Sequence, residues 1–262
     1  FWQWSGNQKD TAEILKPNDR DKNVMPYEMV DFVNDHTDLK AIVRMGGDLY
    51  TLKSLVAAGF PVLVEKGFEP ENLAKEGWMG HYNLVIGYDD NEQVFNTQDS
   101  YLLALLKPEE RANVPGFKVT YDEMTSNWRA FNNLFIVVYA PQKENDVLNA
   151  LGGLADETAS YEVAYNRAVQ ETTALTDARD RYFAWFNAGT SLVKLQDYNG
   201  AAAAYDMAFS IYPTIPEKSR PYRMLWYQTG PYYAYFYTAR YQDVISLATT
   251  TLDAMSEPIL EE

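Results

Sequence analysis

The pattern of hydrophobic and polar positions changes near residue 150, and this change divides the chain into two predicted parts. In the first part, short apolar runs rich in β-branched residues predict buried strands, at Ala41–Val43, Pro61–Val64, Leu84–Tyr88 and Leu134–Tyr139. Stretches with helical spacing predict helices between and around them, at Asp10–Leu15, Pro26–Asn34, Tyr50–Ala58 and Tyr121–Phe131. Because helices and strands do not alternate strictly, we predict an α+β domain over residues 1–150.

Beyond Pro141 the strand pattern stops, and alanine and aromatic residues recur at helical spacing to the end of the chain. The pair Gly152–Gly153 is the predicted joint between the two parts. We therefore predict a second, all-α domain over residues 154–262.

The segment Tyr182–Pro213 follows the tetratricopeptide pattern, with the expected residue types at Trp185, Gly189, Leu192, Ala201, Tyr205, Ala208 and Pro213. Small residues at Gly189 and Ala208 allow two helices to cross closely, and Tyr205 is the predicted large side chain that fills the space beside them. Gln196–Asn199 is the predicted turn. Such repeats stack helices into a surface that binds a protein or peptide partner. An ordinary helical bundle is the alternative.

A looser second copy follows the first. Trp226 and Gly230 lie 41 residues after their counterparts, whereas Tyr241 lies 43 residues after Tyr198. The first helix of this copy is therefore predicted to be about two residues longer, or to contain a bulge near Pro231. Before the first copy, Tyr161–Leu175 predicts one further helix packed at the end of the repeat. The many aromatic residues of Trp226–Tyr241 suit both packing and an interface.

The charge balance limits the classes of partner. The chain has 37 acidic and 22 basic residues, a formal net charge of −15, which disfavours nucleic acid and anionic membrane surfaces. The same charge favours a basic or cationic partner. The longest apolar run, Leu55–Val64, is interrupted by Gly59 and Pro61, so we predict no transmembrane segment.

The chain contains no cysteine, which excludes disulfides, thiolate metal sites and a cysteine nucleophile within these 262 residues. Its first residue is Phe1 with no charged and apolar leader after it, so we expect the chain to begin inside a longer gene product. The stretch Asp19–Asn23 starts like a calcium loop, but Val24 and Val30 stand where that loop needs glycine and glutamate. No zinc pattern or phosphate-binding glycine loop is present, and we predict no cofactor.

Two histidines are available for chemistry. His36 lies in a polar stretch after a predicted helix and is interpreted as exposed or capping. His81 begins a predicted strand, and Asp99 follows it by 18 residues on the paired strand, after a hairpin turn at Asp89–Glu92. A carboxylate beside a histidine fixes its tautomer and supports the imidazolium. A purely structural histidine is the alternative, and Asn96 is a second candidate partner, although strand alternation turns it away from Asp99.

These residues carry a resemblance to a known family. The run GHYNLVIGYDDNEQVFNTQDSY (residues 80–101) resembles the histidine and aspartate strands of papain-fold cysteine peptidases of the double-glycine-leader, bacteriocin-processing type. The run Leu55–Val64 resembles the helix-to-strand step before that histidine. Trp2–Asp10, Lys16–Phe32 and the downstream repeat are similar to a group from Chloroflexi-type bacteria that joins this domain to tetratricopeptide repeats.

The resemblance implies a general base at His81 and an orienting carboxylate at Asp99. It also implies that Phe1–Gly6 is the end of the nucleophile helix, so that the catalytic cysteine and an oxyanion-hole glutamine precede residue 1. The chain as it stands is then expected to be inert and to act through protein–protein interaction. The alternative is that the full-length product is an active peptidase using an upstream cysteine. An extracytoplasmic location is implied by the resemblance alone.

Overall fold

The computed structural model describes residues 8–16, 23–69, 77–111 and 114–254. The strands are β1 Lys40–Arg44, β2 Val62–Phe68, β3 Met79–Asp89, β4 Val94–Gln98, β5 Phe117–Thr120 and β6 Phe135–Tyr139. The helices of the first part are α1 Gln8–Leu15, α2 Pro26–His36, α3 Leu49–Ala57, α4 Ser100–Leu105, α5 Pro108–Arg111, α6 Tyr121–Trp128 and α7 Glu144–Leu151. The second part contains α8 Glu157–Ala174, α9 Ala178–Lys194, α10 Tyr198–Ile211, α11 Met224–Tyr227, α12 Gly230–Tyr237 and α13 Tyr241–Ala254.

The strands form one sheet in the order β1-β6-β2-β3-β4-β5, and all neighbouring strands are antiparallel. The α+β prediction for this part is therefore confirmed. The predicted hairpin turn is also confirmed, since residues 90–93 connect β3 to β4 and Gln93 takes a positive φ of 56°. A bulge between Val85 and Gly87 shifts the register of this hairpin.

Both faces of the sheet are covered. One face packs against α3, α6 and α7, and its core contains Leu52, Val64, Phe95, Trp128 and Phe135. The other face packs against α2 and α8, in a smaller cluster that includes Ala41, Met45, Ile136 and Ala164. Burial of apolar side chains on both faces explains why the central strands read as nearly continuous hydrophobic runs.

The second part is built from helices, as predicted. Helices α9 and α10 form a hairpin, and Tyr205 of α10 is fully buried in it. A Cβ on Gly189 would lie 2.7 Å from the Tyr205 ring, so the glycine provides the space that this ring occupies. The predicted turn Gln196–Asn199 extends two residues too far, because α10 already begins at Tyr198, with Asp197 as its N-cap. Assignment as a tetratricopeptide repeat stays a prediction.

The second helical copy departs from the first in its first helix. This helix is interrupted, with α11 ending at Tyr227 and α12 beginning at Gly230. The irregularity therefore lies just before Pro231, which occupies the first turn of α12, where its missing N–H costs nothing. The predicted early helix is present as α8, but it packs against both α9 and β1 rather than only at the end of a repeat.

The two parts of the chain share a core. The indole of Trp78 stacks on Phe131 at 5.8 Å between ring centroids and lies at the same distance from Phe183 of α9. Asn187 Nδ2 donates to the carbonyl of Arg129 at 2.7 Å, in a buried position. The domain limits 1–150 and 154–262 stay predictions, and the contacts between the two parts are those of a packed interior.

Two sequence interpretations concern segments outside the described residues. These are Phe1–Gly6, interpreted as the end of a nucleophile helix, and most of the calcium-loop-like stretch at Asp19–Asn23. Within the described ranges, no helix combines the length and the apolar character needed to cross a bilayer.

Candidate functional site

His81 lies near the start of β3, where it pairs across the sheet with Lys66 of β2. Its imidazole stacks on the ring of Phe68, with 4.8 Å between ring centroids, and meets the edge of Tyr101 at 6.3 Å. The side chain is 14% exposed, so the ring is held by its neighbours but remains open to solvent on one edge. Its position is thus fixed by two aromatic rings and by the sheet register.

Asp99 lies one residue beyond β4 and is the N-cap of α4. Its Oδ1 accepts hydrogen bonds from the backbone N–H groups of Tyr101 and Leu102, at 2.9 and 3.0 Å. Its Oδ2 accepts a hydrogen bond from Asn83 Nδ2 at 2.8 Å. The residue is only 2% exposed, and this bonding compensates the burial of its charge.

The structure brings His81 and Asp99 together, as expected from the predicted hairpin between them. His81 Nε2 lies 3.0 Å from Asp99 Oδ2. Although the distance is short, the ring nitrogen is out of line for a hydrogen bond, and Nε2 has no aligned partner in the described part of the chain. The contact is therefore a close approach of the ring nitrogen to the carboxylate, and it becomes an ion pair only when the imidazole is protonated. Because Nε2 faces the carboxylate, Nδ1 on the other edge of the ring is the nitrogen available to a reacting group.

The environment keeps Asp99 ionised. Burial alone would raise the pKa of its carboxyl group, but the contact with His81 and the hydrogen bond from the Leu102 N–H outweigh burial. The charge of Lys66 acts in the same direction, and the pKa of Asp99 lies below its ordinary value. The site therefore presents a fixed negative charge to the imidazole at neutral pH.

The sequence predicts Asp99 on the strand that pairs with that of His81, but Asp99 lies one residue beyond the end of β4. Leu84 pairs with Gln98, so the position facing Asp99 is Asn83 rather than His81. Asn83 was not predicted. It lies two residues after His81 and therefore on the same face of β3, which is the signal that could have identified it. Asn96 pairs with Gly87, well away from His81, and does not join the site. His36 ends α2, is exposed and stacks on Phe32.

Strand β2 carries two further buried ionisable side chains, Glu65 and Lys66. Lys66 is 3% exposed, and burial lowers the pKa of its ammonium group, although the charges of Glu123 and Asp99 oppose this. On the other face of β2, Glu65 is 4% exposed, and burial raises the pKa of its carboxyl group to about 8. Neither residue was predicted to be buried, because the sequence pattern does not distinguish a buried charged residue in a strand from an exposed one.

The chain has no cysteine, so these 262 residues supply no thiol nucleophile to the site. Among the residues that the structure describes, no group of three or more His, Asp and Glu side chains could hold a metal ion. What the described arrangement can do is accept a proton at the free edge of His81 and stabilise the resulting imidazolium through Asp99.

Comparison with known proteins identifies the family to which the chain belongs. The family model described as "Peptidase_C39 like family" matches residues 3–136, which include His81, Asn83 and Asp99. A crystal structure described as that of a C39-like peptidase from Bacillus anthracis is 17% identical, with a TM-score of 0.31; the match covers 44% of this chain and 59% of that one. No curated protein matches the chain. Since the family match extends over half of its length, this chain belongs to the Peptidase_C39-like family.

Proposed function

We propose that residues 1–150 carry the histidine and aspartate of a thiol peptidase centre, and that peptide cleavage requires a cysteine from outside these 262 residues. The observation that carries the proposal is the 3.0 Å contact between His81 Nε2 and the buried Asp99 carboxylate, within a C39-like region. Asn83 is a positioning residue that holds Asp99. By itself the chain is expected to be inert as a thiol peptidase, because it has no cysteine to supply the attacking thiolate.

The chemistry follows from the two edges of the imidazole. His81 Nδ1 takes the proton of the thiol, and the thiolate attacks the peptide carbonyl carbon to form a C–S bond. As the C–N bond breaks, His81 returns the proton to the leaving amine. Water, deprotonated by His81, then cleaves the thioester and releases the carboxylic acid, which regenerates the thiol. In each step Asp99 stabilises the imidazolium.

The first test is the intact mass and thiol alkylation of the natural gene product. We expect a longer chain with one alkylatable cysteine. In a peptide-cleavage assay on that protein, His81→Ala should then reduce kcat/KM by roughly 10³-fold or more. His36→Ala is the matched control, because it removes the other histidine of the chain and should leave cleavage unchanged. A natural product without cysteine, or full activity in the His81→Ala variant, would contradict the proposal.

A second candidate function is a catalytically silent peptidase-like region that serves protein–protein interaction. The absence of cysteine from all 262 residues favours it, as does the packing of the helical part against the C39-like part. We keep the tetratricopeptide assignment of α9 and α10 as part of this proposal. The alkylation experiment separates the two candidates, because only the silent protein lacks a reactive thiol in its natural form.

A further inference from the structure

A cavity of about 200 Å³ lies where the end of β2, helix α6 and the start of α9 meet. Its lining includes Phe68, Trp78, Glu123, Arg179, Asp180 and Phe183, and so it draws on both parts of the chain. The ring of Phe68 connects the cavity to the candidate site, because this ring also stacks on His81. A group bound in the cavity would therefore lie one aromatic ring away from the imidazole.

The cavity lining includes one carboxylate, Glu123, that is in no ion pair among the described residues. Arg179 forms an ion pair with Glu69. Asp180 is held by Arg129, at 3.1 Å. Glu123 lies on the exposed side of α6, and within the described residues no cation lies in ion-pair contact with it. The buried Lys66 is not in contact with it, but the two charges interact at longer range. The cavity thus offers one negative charge to a ligand.

The cavity also has a hydrogen-bond donor without an acceptor. Trp78 is only 3% exposed, and its indole N–H has no hydrogen-bond partner in the part of the chain that the structure describes. Unlike the N–H groups of Trp185 and Trp226, it is not sealed from solvent. Gly67 keeps it open, because a Cβ at that position would lie 2.8 Å from Trp78 Nε1. A buried indole with a free N–H on a cavity wall is a ready donor for a carbonyl oxygen.

From these two groups we propose that the cavity is a subsite for a lysine or arginine side chain of a peptide substrate. The cationic end pairs with Glu123, and a backbone carbonyl of the same peptide accepts a hydrogen bond from Trp78. The methylene stem of the side chain lies against Phe68 and Phe183. This inference rests on the proposed function in so far as the bound peptide is a substrate. A basic ligand also agrees with the net charge of −15, which favours cationic partners.

The experiment measures binding, so that it does not depend on a thiol. The probe is acetyl-Gly-Gly-Lys-Gly-Gly-amide, and the matched probe replaces lysine with norleucine, which keeps the stem and removes the charge. Binding is followed by the indole ¹H–¹⁵N signals of the 262-residue chain, with the Trp78 signal assigned from Trp78→Phe. We expect the lysine peptide to shift that signal and to bind roughly fivefold more tightly than the norleucine peptide.

The variant Glu123→Gln should abolish the preference for lysine, while Glu109→Gln, an exposed carboxylate on α5, should leave it unchanged. Equal binding of the two peptides, a preference that survives Glu123→Gln, or no shift of the Trp78 signal would each overturn the inference. If the lysine preference is found but the natural protein lacks a thiol, the subsite stands and the peptidase proposal fails. If the natural protein cleaves peptides but shows no preference for lysine, the peptidase proposal stands and the subsite inference fails.

Discussion

Asn83 and Asp99 are joined by a buried hydrogen bond of 2.8 Å, from the amide Nδ2 of Asn83 to the carboxylate Oδ2 of Asp99. The same oxygen lies 3.0 Å from His81 Nε2, so the amide fixes the atom that the histidine faces. A buried carboxylate that loses one of its donors keeps its desolvation cost with less compensation. The pair is thus part of both the stability of the hairpin and the geometry of the candidate site.

Substitution Asn83→Ala should therefore lower the free energy of unfolding by about 1–3 kcal/mol. Urea denaturation followed by circular dichroism measures this. Asn149→Ala is the matched control, because Asn149 is exposed on α7 and its loss should change stability little. Equal stability of the two variants would show that the hydrogen bond to Asp99 contributes nothing measurable.

Glu65 should make the protein less stable as the pH rises. Burial raises the pKa of its carboxyl group from 4.5 to about 8, so between these values it is protonated in the folded chain and ionised in the unfolded chain. The unfolded state then binds fewer protons than the folded state, and the free energy of unfolding falls with increasing pH across this window. The carboxylate has no compensating partner for its Oε2 within the described residues.

Glu65→Gln removes this titration. We expect the stability advantage of the variant over the parent protein to grow between pH 5 and pH 9, as measured by urea denaturation at each pH. Glu162→Gln, at an exposed position of α8, serves as the control and should follow the parent protein. Parallel pH profiles for Glu65→Gln and the parent would contradict a raised pKa at Glu65.

Gly189 should not tolerate a methyl group. A Cβ there would lie 2.7 to 2.9 Å from three atoms of the fully buried Tyr205 ring, which has no room to move away. Alanine gains about 1 kcal/mol of helix propensity over glycine, but overpacking costs roughly 1–3 kcal/mol or more. We expect Gly189→Ala to lower the melting temperature, and Gly153→Ala, where a Cβ would meet nothing within 4 Å, to leave it unchanged.

Much of the fold could be predicted from the sequence, namely the segments in which consecutive side chains are buried. Strands β2 and β6 contain apolar runs, at Val62–Val64 and Phe135–Val137, that are covered on both faces, and such runs are visible in the sequence. Strand β5 was missed because it is an edge strand of four residues in which only Val119 is buried. Helix α4 was missed because none of its residues is buried, although Asp99 before Ser100 has the character of an N-cap.

The candidate site was predicted only in part, for reasons of register and distance. A hairpin turn is a local signal, so the proximity of His81 and Asp99 followed from it. The partner of Asp99 did not, because a strand register that moves by one or two residues changes which side chain faces it. The cavity beside the site depends on Trp78 meeting Phe183, and no local pattern relates residues so distant in the chain.

The same long-range packing leads to a prediction about the first part of the chain alone. Trp78 and Phe131 belong to the C39-like part, but they are buried in a cluster completed by Tyr182, Phe183 and Phe186 of α9. Removing the helical part would expose these rings and leave Asn132 Nδ2 without Ser191 Oγ, its partner at 2.8 Å. The exposed patch would be large and aromatic, and it would lie beside the unpaired amide of Asn132.

We therefore expect residues 1–150 expressed alone to bind a hydrophobic dye and to lack a cooperative melting transition, whereas the 262-residue chain melts in a single step. Differential scanning calorimetry of both proteins makes the comparison. In the full chain, Asn187→Ala removes the amide bonded to the Arg129 carbonyl at 2.7 Å and should destabilise both parts together, since they share one core. Two separate transitions in the full chain, or a cooperatively folded 1–150 fragment, would instead show that the C39-like part is energetically independent of the helices.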